Sequence, residues 1–259
     1  MANQEKIYIY GKKVLLEALS YAPKSIKKVF IEKEVNDDSL RDMLQAKGIP
    51  TFTLGMNEVL PGMDKLAVHQ GVIGQMSVEN LVIPYRDFIE TLNVNGDTVL
   101  VILGELQDPQ NVGAIIRSSA AFGVAGVLVP EHNQAPVTGA VIKASAGMAF
   151  RVPLVSIGNV NTTARDLKEL GFWIYGLAGE AKETVTEQKF DTPTAFILGN
   201  EEKGLREKTR AVCDILVSIP INPQCESLNV AASSAVALYA WSTKHEGALK
   251  KNEDRTRGK

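Results

Sequence analysis

The alternation of apolar and polar positions changes character near Thr98. Beyond it, Val99-Leu100-Val101-Ile102-Leu103 is an unbroken apolar run, the texture of a strand buried on both faces of a parallel sheet. Comparable runs recur at Gly126 to Val129, Val152 to Val155, Phe172 to Tyr175, Ala195 to Leu198 and Ile215 to Ile219. Between most of them the apolar positions adopt helical spacing, over Val112 to Ala121, Val137 to Ala146, Thr162 to Leu170 and Leu205 to Val212. Strands alternating with helices predict a doubly wound α/β domain over 98–245. A long last helix, Ser227 to about His245, is rich in small residues.

The chain before residue 80 predicts a smaller α/β unit. Ile7 to Tyr10 reads as a strand ending at Gly11, and Lys12 to Leu19 as a helix with Val14, Leu15 and Leu19 inward. Val29-Phe30-Ile31 is a short strand, and Asp38 to Lys47 a second helix closed by Gly48. Pro50 to Leu54 and Gly71 to Met76 suggest two more strands. Mixed character from about Ser77 to Asp97, with Pro84 and Gly96, marks a connector holding a short helix near Tyr85 to Leu92. The expected division is therefore 1–80, a linker at 81–97, 98–245, and a flexible basic tail at 246–259, disordered from Gly247 onward.

Composition narrows the class. With 45% apolar and 22% charged residues, this is the balance of an ordinary globular protein. Met1 to Lys6 lacks the basic start and apolar run of a signal peptide, and no apolar stretch approaches the roughly 18 residues of a membrane span. Cys213 and Cys225 are too few for a disulfide framework or a thiolate zinc site, and His69, His132 and His245 have no metal-ligand spacing. A cytoplasmic protein with no metal is expected. The net charge of −2 does not announce nucleic-acid binding. A basic face could still exist at Lys12-Lys13, at Lys24 with Lys27-Lys28, or in the tail from Lys250, although solvated surface lysines explain all three.

Three polar clusters follow apolar runs, at the strand ends where open α/β sheets place their ligands. The first is Asp108-Pro109-Gln110-Asn111-Val112-Gly113, with Arg117 in the next helix. The second is Leu198-Gly199-Asn200-Glu201-Glu202-Lys203-Gly204. The third is Ile219-Pro220-Ile221, then Ser227-Leu228-Asn229-Val230. Each taken alone has a plain structural reading, as helix cap or turn. Arg117 fits that reading least, because its neighbours Ala114, Ile115, Ile116, Ala120 and Ala121 are small and apolar. A charged fork there calls for a carboxylate or phosphate partner.

Together the clusters resemble the signature motifs of the SpoU branch of the SPOUT RNA methyltransferases: Asn-x-Gly-x-x-x-Arg, Leu-Gly-x-Glu-x-x-Gly, and Ile-Pro-Ile ending in Ser-Leu-Asn-Val. Order, residue types and spacing agree over roughly Thr98 to Trp241. The first segment, with Tyr10-Gly11 and His69-Gln70-Gly71, is similar to the substrate-binding unit of bacterial 23S rRNA guanosine 2′-O-methyltransferases, where a histidine is common at the position of Lys13. The resemblance implies a parallel-sheet catalytic domain with a C-terminal deep trefoil knot, preceded by a small α/β domain like the L30e/L7Ae ribosomal proteins. It implies S-adenosyl-L-methionine bent in the knot, held at Leu198, Gly199, Ile219, Ile221 and Leu228. It also implies a homodimer with the site near the subunit interface, acting on 23S rRNA.

By the same resemblance, Arg117, Asn111, Glu201, Ser227 and Asn229 form the catalytic set. A guanidinium stays protonated, so Arg117 suits clamping a phosphate and stabilising a developing oxyanion better than it suits a base. Asn111 and Asn229 would orient the ribose and Arg117, Glu201 would fix Arg117 or the loop, and Ser227 would join the network. Cys225 reads as a buried or idle thiol. A tRNA ribose is the alternative substrate. A catalytically inactive RNA-binding paralogue is a further alternative, disfavoured because Asn111, Arg117, Glu201 and Asn229 are all present.

Overall fold

The computed structural model describes residues 7–55, 58–61, 63, 68–77 and 81–249. Two sheets organise them. The smaller contains β1 (Ile7–Tyr10), β2 (Ile26–Glu32), β3 (Thr51–Leu54) and β4 (Val72–Met76), with α1 (Lys12–Tyr21) and α2 (Asp38–Ala46) between strands. Its order is β1-β4-β2-β3, with β4 antiparallel to both neighbours and β3 parallel to β2. Asp37 starts α2 by accepting the Leu40 amide at 3.1 Å, satisfying one of the donors a helix leaves free at its first turn.

The larger sheet has eight strands, all parallel: β5 (Val82–Pro84), β6 (Val99–Leu103), β7 (Gly126–Pro130), β8 (Leu154–Ile157), β9 (Trp173–Leu177), β10 (Glu183–Thr184), β11 (Thr194–Leu198) and β12 (Ile215–Ser218). Their order is β10-β12-β9-β11-β6-β7-β8-β5. The associated helices are α3 (Tyr85–Thr91), α4 (Pro109–Ala121), α5 (Gly139–Ala144), α6 (Val160–Glu169), α7 (Glu207–Arg210), α8 (Val230–Ser242) and α9 (Glu246–Leu249).

The unbroken apolar run of β6 has a direct cause. Val99, Val101 and Leu103 join the core containing residues of α4, α5 and α8, while Leu100 and Ile102 join the core containing residues of α3 and α6. A strand sandwiched in this way has no solvent side on which to place polar residues.

Several details differ from the sequence expectations. The connector contributes β5, which pairs with β8 at the edge of the large sheet. The last helix starts at Val230 rather than Ser227, because the Asn229 side chain accepts the Ala231 and Ala232 amides at 2.9 and 3.3 Å and fixes the start there. Residues 247–249, expected to be disordered, belong to α9. His245 anchors that turn: it stacks on Trp241 with centroids 4.3 Å apart, and its ring nitrogens face Asp97 Oδ1 at 2.8 Å and the Phe190 carbonyl at 3.0 Å. The rest of the tail, from residue 250, lies outside the described residues.

The unit built on the small sheet docks on the larger one through α1 and β1. Arg151 grips the Glu17 carboxylate with two hydrogen bonds of 2.7 and 2.8 Å and lies 4.6 Å above the Tyr21 ring. Gly139 sits so close to β1 that a Cβ there would come within 2.6 Å of the Tyr8 carbonyl oxygen. No helix among the described residues is long and apolar enough to cross a membrane.

Candidate active site

The three clusters meet at the C-terminal edge of the large sheet. After β11 the chain turns through a short antiparallel loop in which Asn200 and Gly204 exchange backbone hydrogen bonds of 3.0 and 2.9 Å. Gly199 is pressed against the backbone of Gly204 and Leu205, leaving no room for a Cβ, and Gly204 has φ +61°, which favours glycine. The Asn200 side chain holds the turn, accepting the Glu202 and Lys203 amides at 3.1 Å each and donating to the Glu105 carbonyl at 2.8 Å.

This loop aims Glu201 at the start of α4. Its carboxylate accepts the Gln107 amide at 3.2 and 3.3 Å, the Asp108 amide at 3.2 Å, and the Asn111 and Asn200 side-chain amides at 3.3 Å each. Partial burial raises the Glu201 pKa, but its own backbone amide and hydrogen bonds from Asp108, Asn111 and Gln107 outweigh that effect. The net position is below the ordinary carboxylate value.

Asn111 is not the helix cap. Asp108 fills that place, accepting the Gln110 amide at 2.8 Å, with Pro109 in the first turn. The Asn111 side chain is thereby free to bridge, donating to Glu201 and accepting from Asn229 Nδ2 at 3.0 Å. Asn229 has a double duty, since its oxygen caps α8 while its nitrogen reaches Asn111. A chain of Glu201, Asn111 and Asn229 therefore ties all three clusters together.

Two clefts open on either side of this chain. One, of about 1150 Å³, is lined by Asp108, His132, Asn133, Asn159, Asn161 and Arg206 among others. The other, of about 740 Å³, is lined by Leu198, Gly199, Ile219, Ile221, Ser227 and Leu228 among others. Asn111, Asn200 and Glu201 line both. Ile221 and Leu228 are each 39% exposed, leaving apolar surface free beside the second cleft. That volume and that mixture of apolar walls with a few polar groups match a small-molecule pocket.

Of the residues named from the sequence, Asn111, Leu198, Gly199, Glu201, Ile219, Ile221, Ser227, Leu228 and Asn229 all line the second cleft. Arg117 is elsewhere. It lies two turns further along α4, exposed, and the structure gives it no hydrogen bond or ion pair among the described residues. Glu201 holds the loop rather than Arg117. Ser227 stands outside the Asn111–Asn229 chain of bonds.

The sequence reading gave no role to Asn200, although it lies inside the second cluster. It also passed over Glu180 and Arg210, which form an ion pair beside the second cleft. Nothing in local spacing links those two positions. Cys225 is exposed and lines the same cleft, whereas burial pushes the Cys213 thiol up to about 11. Among the described residues no group of three or more His, Cys, Asp or Glu side chains is placed to hold a metal ion.

Fold and site together define a doubly wound α/β protein with paired ligand clefts outside the carboxyl ends of its strands. Comparison with known proteins makes the class specific. Residues 98–239 match the SpoU rRNA methylase family, and residues 8–80 match the RNA 2′-O ribose methyltransferase substrate-binding family. The chain is 33% identical over 240 residues to the 23S rRNA (guanosine-2′-O-)-methyltransferase RlmB of Nitrosomonas europaea, covering 92% of both chains. It is 34% identical over 238 residues to RlmB of Haemophilus influenzae, covering 89% of this chain and 95% of the relative. Among solved structures, the SpoU methyltransferase AviRb from Streptomyces viridochromogenes, in complex with the cofactor AdoMet, superposes with a TM-score of 0.78 at 21% identity, covering 94% of this chain and 92% of that one. The chain belongs to the SpoU rRNA methylase family.

Proposed function

We propose that this protein transfers the methyl group of S-adenosyl-L-methionine to the 2′-hydroxyl of a guanosine in 23S rRNA. The observation that carries the reading is the bonded wall of Asn111 and Glu201 standing between two clefts, with Asn229 joined to Asn111 on the side of the second. Methyl transfer brings a donor and an acceptor together at one boundary, and this wall is such a boundary. Relatives of matching length whose names carry that activity supply the base and the RNA.

The second cleft fits the cofactor. Leu198, Ile219, Ile221 and Leu228 would flank its apolar parts, and the tight backbone at Gly199 would let main-chain groups approach it. When bound, S-adenosyl-L-methionine supplies an activated methyl group. The residues of the chain then act by placement. Asn111 and Asn229 orient the sugar, and Glu201 holds the first and second clusters in register. Holding reactants in near-attack geometry is worth about 7–11 kcal/mol of barrier. Ser227 lines the cleft with a hydroxyl free to join the bound groups. Arg117 clamps a phosphate of the RNA and stabilises the developing oxyanion.

We assign that role to Arg117 within a homodimer. Its exposure on α4 supports this, as do Val236 and Tyr239, 38% and 60% exposed on α8, the helix that packs against α4; Tyr239 meets Phe122, just past the end of α4, with ring centroids 6.2 Å apart. The strand order supports the deep trefoil knot: β11 lies between β6 and β9, while the later β12 pairs with the other side of β9. The mixed four-stranded sheet supports an L30e-like unit at 1–80 that binds substrate, joined by residues 81–97 to a methyltransferase domain at 98–245. The protein would act in the cytoplasm, with the ribosomal RNA.

The test is incorporation of labelled methyl groups from the cofactor into unmodified 23S rRNA, with bulk tRNA run in parallel. Label in 23S rRNA is expected. Label in tRNA alone would replace the substrate, and label in neither would end the enzymatic reading.

A further inference from the structure

The clefts do not exhaust the surfaces suited to RNA. We propose that the outer face of the small sheet carries a stacking site for an unpaired nucleobase, built from Phe30, Phe52 and Lys28. The proposal rests on the reading that the chain acts on RNA, and is independent of which atom receives the methyl group.

The register of the sheet creates the site. Parallel pairing sets Phe30 of β2 opposite Phe52 of β3, so both rings share a face, with centroids 5.8 Å apart and planes inclined by 35°. Lys28, two residues earlier on the same face of β2, holds its ammonium 5.2 Å from the Phe30 centroid and 5.4 Å from that of Phe52. Ile73 on β4 and Tyr10 on β1 continue the row across the sheet, where Ile73 is buried in a cluster with Leu54 and Leu60, so the open part of this face is the end that carries Lys28 and Phe52. None of these residues lines either cleft of the candidate active site.

Cross-strand aromatic pairing accounts for Phe30, which is half-buried, but leaves Phe52 unexplained: its side chain stays 49% exposed. An exposed ring with a cation beside it offers a π-face for a base and a counter-charge for the adjoining phosphate. Among the described residues β3 is also the edge strand, so its outward amides and carbonyls have no strand partner there and can meet the polar edge of a stacked base. Exposed Lys24 and Lys27 add positive charge near the start of β2. The strand's carboxylate, Glu32, follows Phe30 on the same face, with its side chain beside Gly71, so the charge at the site is positive only on the Lys28 side of the ring pair. The occupant with this chemistry is an unpaired nucleotide of single-stranded RNA or an RNA loop, held by stacking and not read by sequence.

The experiment uses the whole protein and a uridine-rich oligoribonucleotide carrying one 2-aminopurine, whose fluorescence is quenched by stacking. Wild type should bind and quench. Phe52→Leu, which keeps the apolar bulk, should abolish quenching and weaken binding about fivefold or more, leaving the salt dependence unchanged. Phe52→Tyr should restore both, and Lys28→Gln should lower the slope of log affinity against log salt by up to about one. S-adenosyl-L-methionine affinity should be the same in all variants, and the thermal midpoint of Phe52→Leu should fall by no more than the few degrees that loss of one cross-strand aromatic pair implies. A wild-type protein that leaves the probe unquenched, or a Phe52→Leu protein that quenches normally, would overturn the site. Loss of quenching in Phe52→Leu alongside a wild type that methylates no rRNA would keep the site and remove the proposed function.

Discussion

Glu201→Gln separates charge from shape at the centre of the wall. The carboxylate receives two backbone amides and two side-chain amides at 3.2 to 3.3 Å. Glutamine keeps the volume, but it replaces one acceptor oxygen with a donor. That donor then opposes an incoming amide, and the remaining bonds lose their charge assistance. Hydrogen bonds to ionised groups contribute roughly 1.5–3 kcal/mol against 0.5–1.5 for neutral ones. The bonds here are long and partly open to water, so the expected net loss is about 1–3 kcal/mol at neutral pH. In urea this is a fall in midpoint of about 0.5–1 M with an unchanged slope. The pH dependence supplies an internal control. Because the folded protein depresses the Glu201 pKa, its stabilisation is present above the unfolded-state value, about 4.3, and is lost as pH falls through the folded-state value. A protonated Glu201 is nearly isosteric with glutamine, so the gap between wild type and variant should close in acid. Equal stabilities at neutral pH, or a gap that acid leaves intact, would refute the reasoning.

Three further outcomes follow from the site. Arg117→Ala should abolish methyl transfer while calorimetric titration gives wild-type cofactor affinity, since Arg117 lines neither cleft; near-normal turnover would remove it from the chemistry. Asn229→Asp keeps the oxygen that caps α8 but loses the nitrogen that reaches Asn111, so activity should fall with stability within about 0.5 kcal/mol of wild type, whereas Asn229→Ala should also lose about 0.5–2 kcal/mol in denaturant unfolding. Near neutral pH, a thiol reagent should modify exposed Cys225 and spare Cys213, whose thiol is held up to about 11 by burial, and S-adenosyl-L-methionine should slow the reaction; two equally reactive thiols would contradict this.

Elements that bury long apolar runs were legible in the sequence. β6 could hardly be anything but an interior strand, because all five of its residues are apolar. β10 escaped notice because two residues, Glu183 and Thr184, leave no periodicity to read. β5 was hidden in the connector by its shortness and by Pro84, which an edge strand tolerates. α9 was masked by the basic composition that follows it, while its anchor, His245 against Asp97, joins positions 148 residues apart.

The candidate site divides in the same way. Its residue types and their places after strands were readable, because turns and caps have local signatures. The pairings were not: Asn111 meets Glu201 across 90 residues and Asn229 across 118, distances over which spacing carries no information. The separation of Arg117 from the clefts that Asn111 lines was within reach of helical spacing, since six residues carry it about 120° round α4 from Asn111.

The most direct measurement is nucleoside mass spectrometry of 23S rRNA, taken from cells lacking this modification, after incubation with the protein and S-adenosyl-L-methionine. The account predicts a single new nucleoside, 2′-O-methylguanosine, at about one per molecule. A methyl group found on a base, or on the ribose of another nucleoside, would contradict it.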